Sequence, residues 1–246
     1  MPYPLVILHG WGASAKSYDK LKPLLEQKGI SVFVFDLPGF GSAPPPAEPW
    51  SVDDYSDWVF KKIDANLNDK NGQFILYGHS FGGRIGIKLA ARQTEGIKGL
   101  ILCDAAGVTP RPKAKISIFN FFSKSGKLVF SLPVLKYFQP IVRKIEYFLA
   151  GSRDYYYLQS EIMKDVFQRV IKEDLTPDLE KIKIPTLIIW GKKDKMTPVS
   201  DAYIINQGIG GSELKILEGI GHSPHLENPQ ALADIICKFI TKVSIE

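Results

Sequence analysis

The sequence predicts an α/β fold: a doubly wound, mostly parallel sheet of about six strands, with helices on both faces and a helical insertion. Short apolar runs alternate with segments of helical periodicity, an alternation that implies right-handed crossovers between parallel strands. The alternation stops between residues 108 and 172, where no convincing strand is found. We therefore predict a core domain of residues 1–107 and 173–246, with residues 108–172 inserted as a helical cap.

Six apolar runs are the predicted strands, and they cover 5–8, 31–35, 73–77, 97–102, 186–190 and 213–217. Continuous apolar runs of this length are typical of strands buried on both faces. The predicted helices have apolar side chains at intervals of three or four residues, and they cover 14–29, 51–67, 83–91, 198–207 and 228–242.

The predicted cap is basic and aromatic. Residues 111–172 contain twelve Lys or Arg and four Asp or Glu, an excess of +8, so the rest of the chain carries 5 − 8 = −3. The cap also contains twelve Phe or Tyr. Most of these rings are expected to pack helices onto the core, and some to line an apolar pocket. The basic charge either lies on solvated faces or attracts anionic substrates or a membrane surface, and both interpretations stay open.

Length, cysteine usage and the start of the chain bear on its location. A chain of 246 residues fits one α/β domain with an insertion. Cys103 and Cys237 lie in apolar runs without paired spacing, which favours free thiols in a reducing compartment. No signal peptide is recognised, and no apolar run has membrane-spanning length. We expect a cytoplasmic protein without stable membrane insertion.

The central motif is the pentapeptide Gly-His-Ser-Phe-Gly at 78–82, which lies between a strand-type run and a segment of helical spacing. A strand that turns at once into a helix around a serine is a nucleophile elbow. Because this turn brings backbone segments close together, glycine is expected at Gly78, Gly82 and Gly83. Ser80 is therefore the candidate nucleophile, with unpaired N–H groups of a helix N-terminus beneath it.

A serine hydroxyl needs a base within hydrogen-bonding reach, and the base needs an orienting group. Ser80, Asp194 and His222 each follow a predicted strand, at the edge where open parallel sheets place their sites. In this chain order His222 would accept the serine proton and Asp194 would orient the imidazole. Asp104, which also ends a strand, is a rival acid, and His225 is a rival base. The Gly-x-Gly-His spacing favours His222, and the loop around Asp194 favours that residue.

Other polar side chains near these motifs have structural interpretations. His9 is expected to brace its loop through backbone hydrogen bonds, His79 to aim away from the chemistry, and Asp36 to tie its own loop together. No cluster has metal-ligand spacing, and no glycine run follows the first strand, so no metal or cofactor is expected. The basic cap contains no known nucleic-acid-binding motif.

Five motifs, in this order, resemble those of the α/β-hydrolase superfamily. They are His-Gly-Trp-Gly at 9–12, Asp-Leu-Pro-Gly-Phe-Gly-Ser at 36–42, the elbow at 78–83, the acid loop at 191–198, and the histidine loop at 221–222 with 227–229. The resemblance runs from residue 5 to 240 and leaves only the cap unmatched. It implies an oxyanion hole formed by the backbone N–H groups of Trp11 and Phe81. These two residues and the cap aromatics are also candidates for substrate contact, although Trp11 is equally consistent with plain core.

The resemblance implies a serine hydrolase that cleaves carboxylic esters through an acyl-enzyme intermediate, with an apolar or aromatic acyl group and a small-molecule substrate. A carbon–carbon bond hydrolase of vinylogous diketones uses the same triad, a perhydrolase shares every motif, and a ligand receptor can retain the triad, so these alternatives stay open. Dehalogenases and epoxide hydrolases need a carboxylate nucleophile, and Ser80 argues against both.

Members of this superfamily usually carry two further strands before the one that starts here at residue 5. Without them, a sheet of six parallel strands is expected, with 31–35 as an exposed apolar edge strand. We expect this edge to be covered by a second copy of the chain, which would make a homodimer, or by the chain's own loops.

Overall fold

The computed structural model describes residues 2–67, 72–108 and 160–245. In these ranges the strands are β1 (Leu5–Leu8), β2 (Val32–Val34), β3 (Phe74–His79), β4 (Ile97–Cys103), β5 (Thr186–Gly191) and β6 (Glu213–Leu217). They form one sheet in the order β2-β1-β3-β4-β5-β6, and every neighbouring pair is parallel. The predicted fold class and strand number are confirmed for the described part of the chain.

The described helices are α1 (Leu21–Glu26), α2 (Val52–Leu67), α3 (Phe81–Ala91), α4 (Glu161–Lys172), α5 (Val199–Gly208), α6 (Pro224–Glu227) and α7 (Pro229–Val243). Short 3-10 helices occur at Ala15–Tyr18 and Thr176–Lys181. Helices α2, α3, α4 and α5 contribute to the apolar core on one face of the sheet, and α1 and α7 to the core on the other. None of the described helices has the length and apolar character needed to cross a membrane.

Strand β3 lies inside the sheet, between β1 and β4, and all its residues are buried. Because successive side chains of a strand point to opposite faces, Leu76 joins one core, while Ile75 and Tyr77 join the other. Ser80 follows directly at the carboxyl end of this strand. The candidate nucleophile is therefore mounted on an enclosed, doubly packed part of the sheet.

The single helix predicted at 14–29 is wrong. This segment forms a 3-10 helix at Ala15–Tyr18, and α1 covers only Leu21–Glu26. Proline has no backbone N–H and is tolerated in the first turn of a helix, so Pro23 limits the start of α1 to the turn that contains it, and the helix begins at Leu21. The helices predicted at 51–67, 198–207 and 228–242 are confirmed to within one residue at each end.

Helix α4 belongs to the segment predicted as a cap. Its buried side chains Met163, Val166 and Val170 join the core that α2 and α3 build on the sheet. Residues 109–159, with most of the aromatic side chains expected to line a pocket, lie outside the described residues. The division into a core and a cap at residues 107 and 173 therefore stays a prediction.

Strand β2 lies at one edge of the sheet and pairs with β1. The edge position is confirmed, but the strand is shorter than expected, with three residues instead of five. Val32 is buried, and Phe33 and Val34 are half-buried. A short edge exposes few unpaired backbone groups, which is one way to limit edge-to-edge association. A homodimer through this edge stays a prediction.

The turn from β3 into α3 requires glycine at two positions, because a Cβ atom at either one would overlap the backbone. A Cβ atom on Gly78 would lie 2.4 Å from the carbonyl oxygen of Gly82, and one on Gly82 would lie 2.2 Å from that of Leu8. Both distances are much shorter than a van der Waals contact between a carbon and an oxygen atom. Ser80 itself has φ 50° and ψ −109°, a conformation that L-residues rarely adopt. The expectation that glycine lets the backbone pass close to itself in the elbow is confirmed.

We predict that Gly82→Ala lowers the free energy of unfolding by about 1–3 kcal/mol or more, because the new methyl group overlaps the backbone of β1. Urea denaturation followed by circular dichroism measures the change. Gly210→Ala is the matched control, since a Cβ there has no neighbour within 4 Å. An alanine at residue 82 that is tolerated as well as one at residue 210 would contradict the steric argument.

Candidate active site

The side chains of Ser80, His222 and Asp194 form a continuous line of hydrogen bonds at the carboxyl edge of the sheet. His222 Nε2 lies 3.1 Å from Ser80 Oγ, and His222 Nδ1 lies 2.6 Å from Asp194 Oδ2. With its proton on Nδ1, the ring donates to the carboxylate and leaves Nε2 free to accept from the serine hydroxyl. Loops after three different strands thus bring together the three side chains that the sequence analysis selected.

The carboxylate of Asp194 accepts hydrogen bonds on both oxygens. Oδ1 accepts from the backbone N–H groups of Met196, at 2.7 Å, and Thr197, at 3.1 Å. Burial opposes ionisation, but the hydrogen bond from His222, attraction to its ring and the donors of the acid loop together hold the pKa of Asp194 below its ordinary value. A charged carboxylate therefore faces the imidazole, where it can stabilise an imidazolium ion.

Thr197 has a role that the sequence analysis did not identify. Its Oγ1 lies 2.7 Å from Asp194 Oδ2, 3.3 Å from His222 Nδ1 and 3.2 Å from the backbone oxygen of Asp104. The hydroxyl therefore holds the carboxylate beside the ring. A hydroxyl residue three positions after an aspartate is a signal that could have revealed it, because an aspartate often closes a turn with the N–H groups that follow it.

Asp104, the rival acid, lies beside the Asp194–His222 pair. It is fully buried, and its Oδ1 accepts a hydrogen bond from the N–H of Gly191 at 2.9 Å. Burial raises the pKa of Asp104 to about 8; the Gly191 N–H works against this rise, and the negative charge of Asp194 adds to it. At neutral pH Asp104 keeps its proton, which leaves Asp194 as the charged partner of His222.

Oxygen atoms of Asp104 and Asp194 and a ring nitrogen of His222 lie within 4.8 Å of one another, a spacing at which a metal ion could be held. The sequence analysis did not detect this group, because its members come from three separate loops. The donor atoms are already engaged, since His222 Nδ1 bonds to Asp194 and Asp104 Oδ1 accepts from Gly191. A cation would compete with the hydrogen bond that joins His222 to Asp194, so the arrangement fits acid–base chemistry better than metal binding.

Two side chains hold the backbone of the loop that carries His222. Glu227 accepts from the N–H of Gly221 at 2.8 Å and from the N–H of Ser223 at 3.1 Å. From the other side, His79 Nε2 lies 2.7 Å from the carbonyl oxygen of His222. From the sequence, Glu227 was expected only as part of a motif, and His79 was expected to have no part in the site. The His79 contact joins segments 143 residues apart, and a contact of that kind leaves no local pattern in the sequence.

His225 lies behind the site and not against the nucleophile. Its ring is buried and stacks on Tyr18, with the ring centroids 4.6 Å apart. Burial, with a smaller contribution from His222, lowers the pKa of His225 to about 4, so the ring is neutral near pH 7. His222 is therefore the imidazole that the structure places in hydrogen-bonding reach of Ser80.

The loop after β1 lies against Ser80, the candidate nucleophile. His9 donates from Nδ1 to the Gly10 carbonyl at 2.8 Å and accepts at Nε2 from the Leu37 N–H at 2.9 Å, so its expected bracing role is confirmed. A Cβ on Gly10 would lie 3.3 Å from Ser80 Cβ. Within the described ranges, neither the N–H of the next residue, Trp11, nor that of Phe81 donates a hydrogen bond. Both donors are available for an oxyanion, and their joint action stays a prediction.

Asp36 ties two loops together. Its Oδ1 accepts from the N–H of Ala15 at 2.7 Å, while Oδ2 accepts from both the N–H and the hydroxyl of Ser42 at 2.8 Å. The predicted bonding within its own loop is confirmed. The contact with Ala15 additionally anchors the segment that follows the candidate oxyanion loop.

Trp11 is packed among aromatic rings. Its centroid lies 4.8 Å from that of Phe40, 5.2 Å from Phe81 and 5.0 Å from Phe167 of helix α4. The residue is nevertheless only half-buried, and its indole N–H has no hydrogen-bond partner in the described residues. Core packing and partial access therefore occur together, so the two interpretations left open by the sequence do not exclude each other.

Comparison with known proteins places this site in a family. A model of the alpha/beta hydrolase family matches residues 5–235. The chain is 30% identical over 259 residues to AB hydrolase superfamily protein YisY of Bacillus subtilis, an alignment that covers 96% of this chain and 91% of that protein. It is 27% identical to a pimeloyl-[acyl-carrier protein] methyl ester esterase of Neisseria meningitidis, which covers 96% and 93% of the two chains.

A solved structure of an esterase from Exiguobacterium antarcticum has the same fold, with a TM-score of 0.73 at 22% identity over 97% of this chain and 92% of that one. An enclosed parallel strand that ends in a strained serine, with an imidazole beside it, defines a hydrolase scaffold. The chain belongs to the α/β hydrolase family, and it is a hydrolase. The resemblance based on five motifs is confirmed.

We predict that Asp104→Asn changes the pH dependence of stability. Because the folded protein holds the Asp104 proton up to a pKa of about 8 and the unfolded chain releases it near 3.8, stability falls as the pH rises through this window. Asparagine has no proton to lose, so the melting temperature of wild type should decline from pH 5 to 8 relative to that of the variant. Differential scanning calorimetry measures both, and a constant difference would contradict the protonated state of Asp104.

Proposed function

We propose that this hydrolase cleaves carboxylic esters through an acyl-enzyme intermediate, with Ser80 as nucleophile, His222 as general base and Asp194 as orienting acid. The observation that carries the proposal is the unbroken line from Ser80 Oγ to His222, 3.1 Å long, and from His222 to Asp194, 2.6 Å long. Ser80, the proposed nucleophile, lies in the strained elbow, a turn that exposes a serine hydroxyl to substrate.

In the first half-reaction Ser80 Oγ attacks the ester carbonyl carbon while its proton passes to His222 Nε2. The carbonyl oxygen becomes an anion and accepts hydrogen bonds from the backbone N–H groups of Trp11 and Phe81. Each such donor contributes about 3–4 kcal/mol in characterised oxyanion holes. The imidazolium then returns its proton to the leaving alkoxide, and the acyl group stays on Ser80.

In the second half-reaction a water molecule takes the place of the alcohol. His222 accepts a proton from this water as its oxygen attacks the acyl carbon, and the proton is then given to Ser80 Oγ as the acid leaves. The imidazolium forms twice per turnover, next to the charged carboxylate of Asp194. Asp104 keeps its proton and adds no second charge at this position.

The surroundings of the nucleophile support an apolar or aromatic acyl group. Trp11, Phe40 and Phe81 form contiguous ring contacts next to Ser80, and Phe167 joins them from α4. Apolar walls with a few fixed polar groups are typical of small-molecule pockets. In this proposal the cap of residues 108–172 roofs the pocket and supplies the rest of its aromatic lining.

A related protein is named for a methyl ester on an acyl chain that is attached to a carrier protein. The excess of +8 over residues 111–172 would suit an anionic substrate or an acidic carrier. A free small ester is our first choice, because the hydrogen bonds among Ser80, His222 and Asp194 bear only on the ester group and not on what is attached to it. A carrier-linked methyl ester belongs in the same substrate panel.

We predict that the protein hydrolyses p-nitrophenyl esters and that Ser80→Ala lowers kcat by about 10⁶-fold, because the nucleophile is lost. A fluorophosphonate probe should label wild type and not the variant. A chain-length series of esters, assayed at low and high salt, reports the acyl preference and any role of the basic cap.

Other results of this experiment would point elsewhere. Labelling by the probe without turnover of any ester would favour a ligand receptor. Faster cleavage of a vinylogous diketone than of any ester would favour a carbon–carbon bond hydrolase. Ester turnover that survives in Ser80→Ala would refute the proposed nucleophile.

We predict unequal effects for the two buried carboxyl groups. Asp194→Asn should lower kcat by about 10⁴-fold, because it removes the charge and fixes the wrong tautomer of His222. Asp104→Asn should lower kcat by less than about tenfold, since asparagine resembles the protonated acid in size and donor capacity. Steady-state kinetics with a p-nitrophenyl ester compares them, and a larger loss for Asp104→Asn would exchange their roles.

A further inference from the structure

In the proposed function, the backbone of the loop that carries His222 must be held in place, in addition to the imidazole ring itself. Proton transfer requires His222 Nε2 to stay near 3 Å from Ser80 Oγ, and a displacement of about 1 Å can cost about 10²-fold in rate. Glu227 shapes the loop from within, since it is only six residues from Gly221. An anchor to the strand that carries the nucleophile has to come from another part of the chain.

His79 provides a contact of this kind. It is the last residue of β3, directly before Ser80, and its Nε2 lies 2.7 Å from the carbonyl oxygen of His222, 143 residues away in sequence. A carbonyl oxygen can only accept, so Nε2 carries the proton and donates it. The residue is only 5% exposed, and its ring lies 5.0 Å from that of His222. Water therefore competes little for this bond.

The other edge of the same ring faces the candidate oxyanion loop. A Cβ on Gly10 would lie 2.8 Å from His79 Nδ1, so only glycine leaves room for the ring at that point. The ring thus fills the space between the loop before Trp11 and the loop that carries His222. One side chain contacts both loops that must be held in place around the Ser80 hydroxyl.

We propose that His79 is a positioning residue: by donating to the His222 backbone and packing against Gly10, it holds the general base and the oxyanion loop at fixed positions relative to Ser80. This proposal rests on the proposed function and adds a residue to which neither sequence nor family comparison gave a part. His79 contacts no reacting atom, so its effect is expected on the rate of chemistry and not on substrate binding.

The neutral state of His79 supports this role. Burial lowers the pKa of His79 well below its ordinary value, and the neighbouring rings of His222, His225 and His9 lower it further, against the bond to the His222 carbonyl, which raises it. The ring therefore stays uncharged while His222 becomes an imidazolium. A second cation beside the base would oppose that step.

Three variants at residue 79 test the proposal. Leucine removes the donor, glutamine keeps an N–H at about the distance of Nε2, and asparagine is polar but too short to reach the His222 carbonyl. We expect His79→Leu and His79→Asn to lower kcat by about 10- to 100-fold with KM within about twofold. His79→Gln should recover most of the loss. Tyr77→Phe is the control, since it deletes a buried hydroxyl of the same strand whose electrostatic neighbours are Cys103, Tyr18 and Asp104 and not His222.

A second readout does not depend on turnover. The proton between His222 Nδ1 and Asp194 gives a downfield proton NMR signal in the ligand-free protein when the 2.6 Å contact is held. It should be sharp in wild type, His79→Gln and Tyr77→Phe, and broadened in His79→Leu and His79→Asn. If His79→Leu does not fold, the comparison of glutamine with asparagine decides.

Equal kcat and equal spectra for glutamine, asparagine and leucine would overturn the positioning role. A lower melting temperature in all three variants, with full activity at a temperature where each is folded, would also overturn the proposal. His79 would then have a packing role only. Failure of wild type to hydrolyse any ester would refute the proposed function instead, and the NMR comparison would still test the anchor.

Discussion

The backbone at Ser80 is the constraint on which the rest of the site depends. Its left-handed conformation is held by neighbours on both sides: the Ser80 N–H donates to Cys103, and the Ser80 carbonyl accepts from Gly83 and Ala106, each at 3.0–3.2 Å. Two of these contacts reach the end of β4 and the loop that follows it. The strain is therefore maintained by the central strands of the sheet and not by the turn alone. A nucleophile fixed in this way gives the other groups a stationary target.

Most of the ionisable side chains packed around Ser80 are uncharged. Asp104 and Asp194 lie close to four imidazoles, and burial raises the pKa of Asp104 and lowers those of His9, His79 and His225, so these four groups are uncharged near pH 7. Each of the neutral groups was placed there by packing or hydrogen bonding to backbone. In the proposed mechanism, the positive charge that forms on His222 lies next to the carboxylate of Asp194, and none of the three neighbouring imidazoles adds a competing cation.

The sequence was sufficient for the sheet and for the three loops that carry Ser80, Asp194 and His222, because strands, turns and elbow glycines leave local patterns. It failed at 14–29, where one proline outweighed an apolar stripe. It also missed the contacts of Thr197 and His79 with His222, which lies 25 and 143 residues away from them along the chain. Such contacts depend on how strands are ordered side by side, and the periodicity of a single strand carries no information about its neighbour's side chains.

The distribution of the site along the chain has a consequence for biosynthesis. The residues that hold Ser80 are encoded by about residue 106, while His222 comes much later, on the loop that precedes α6. Domains emerge from the ribosome from the N-terminus onward. In the proposed function, a chain that ends before residue 222 lacks the base even where every residue that holds Ser80 is present. Activation of the serine would therefore be the last step of assembly, because it needs the segment that is synthesised last.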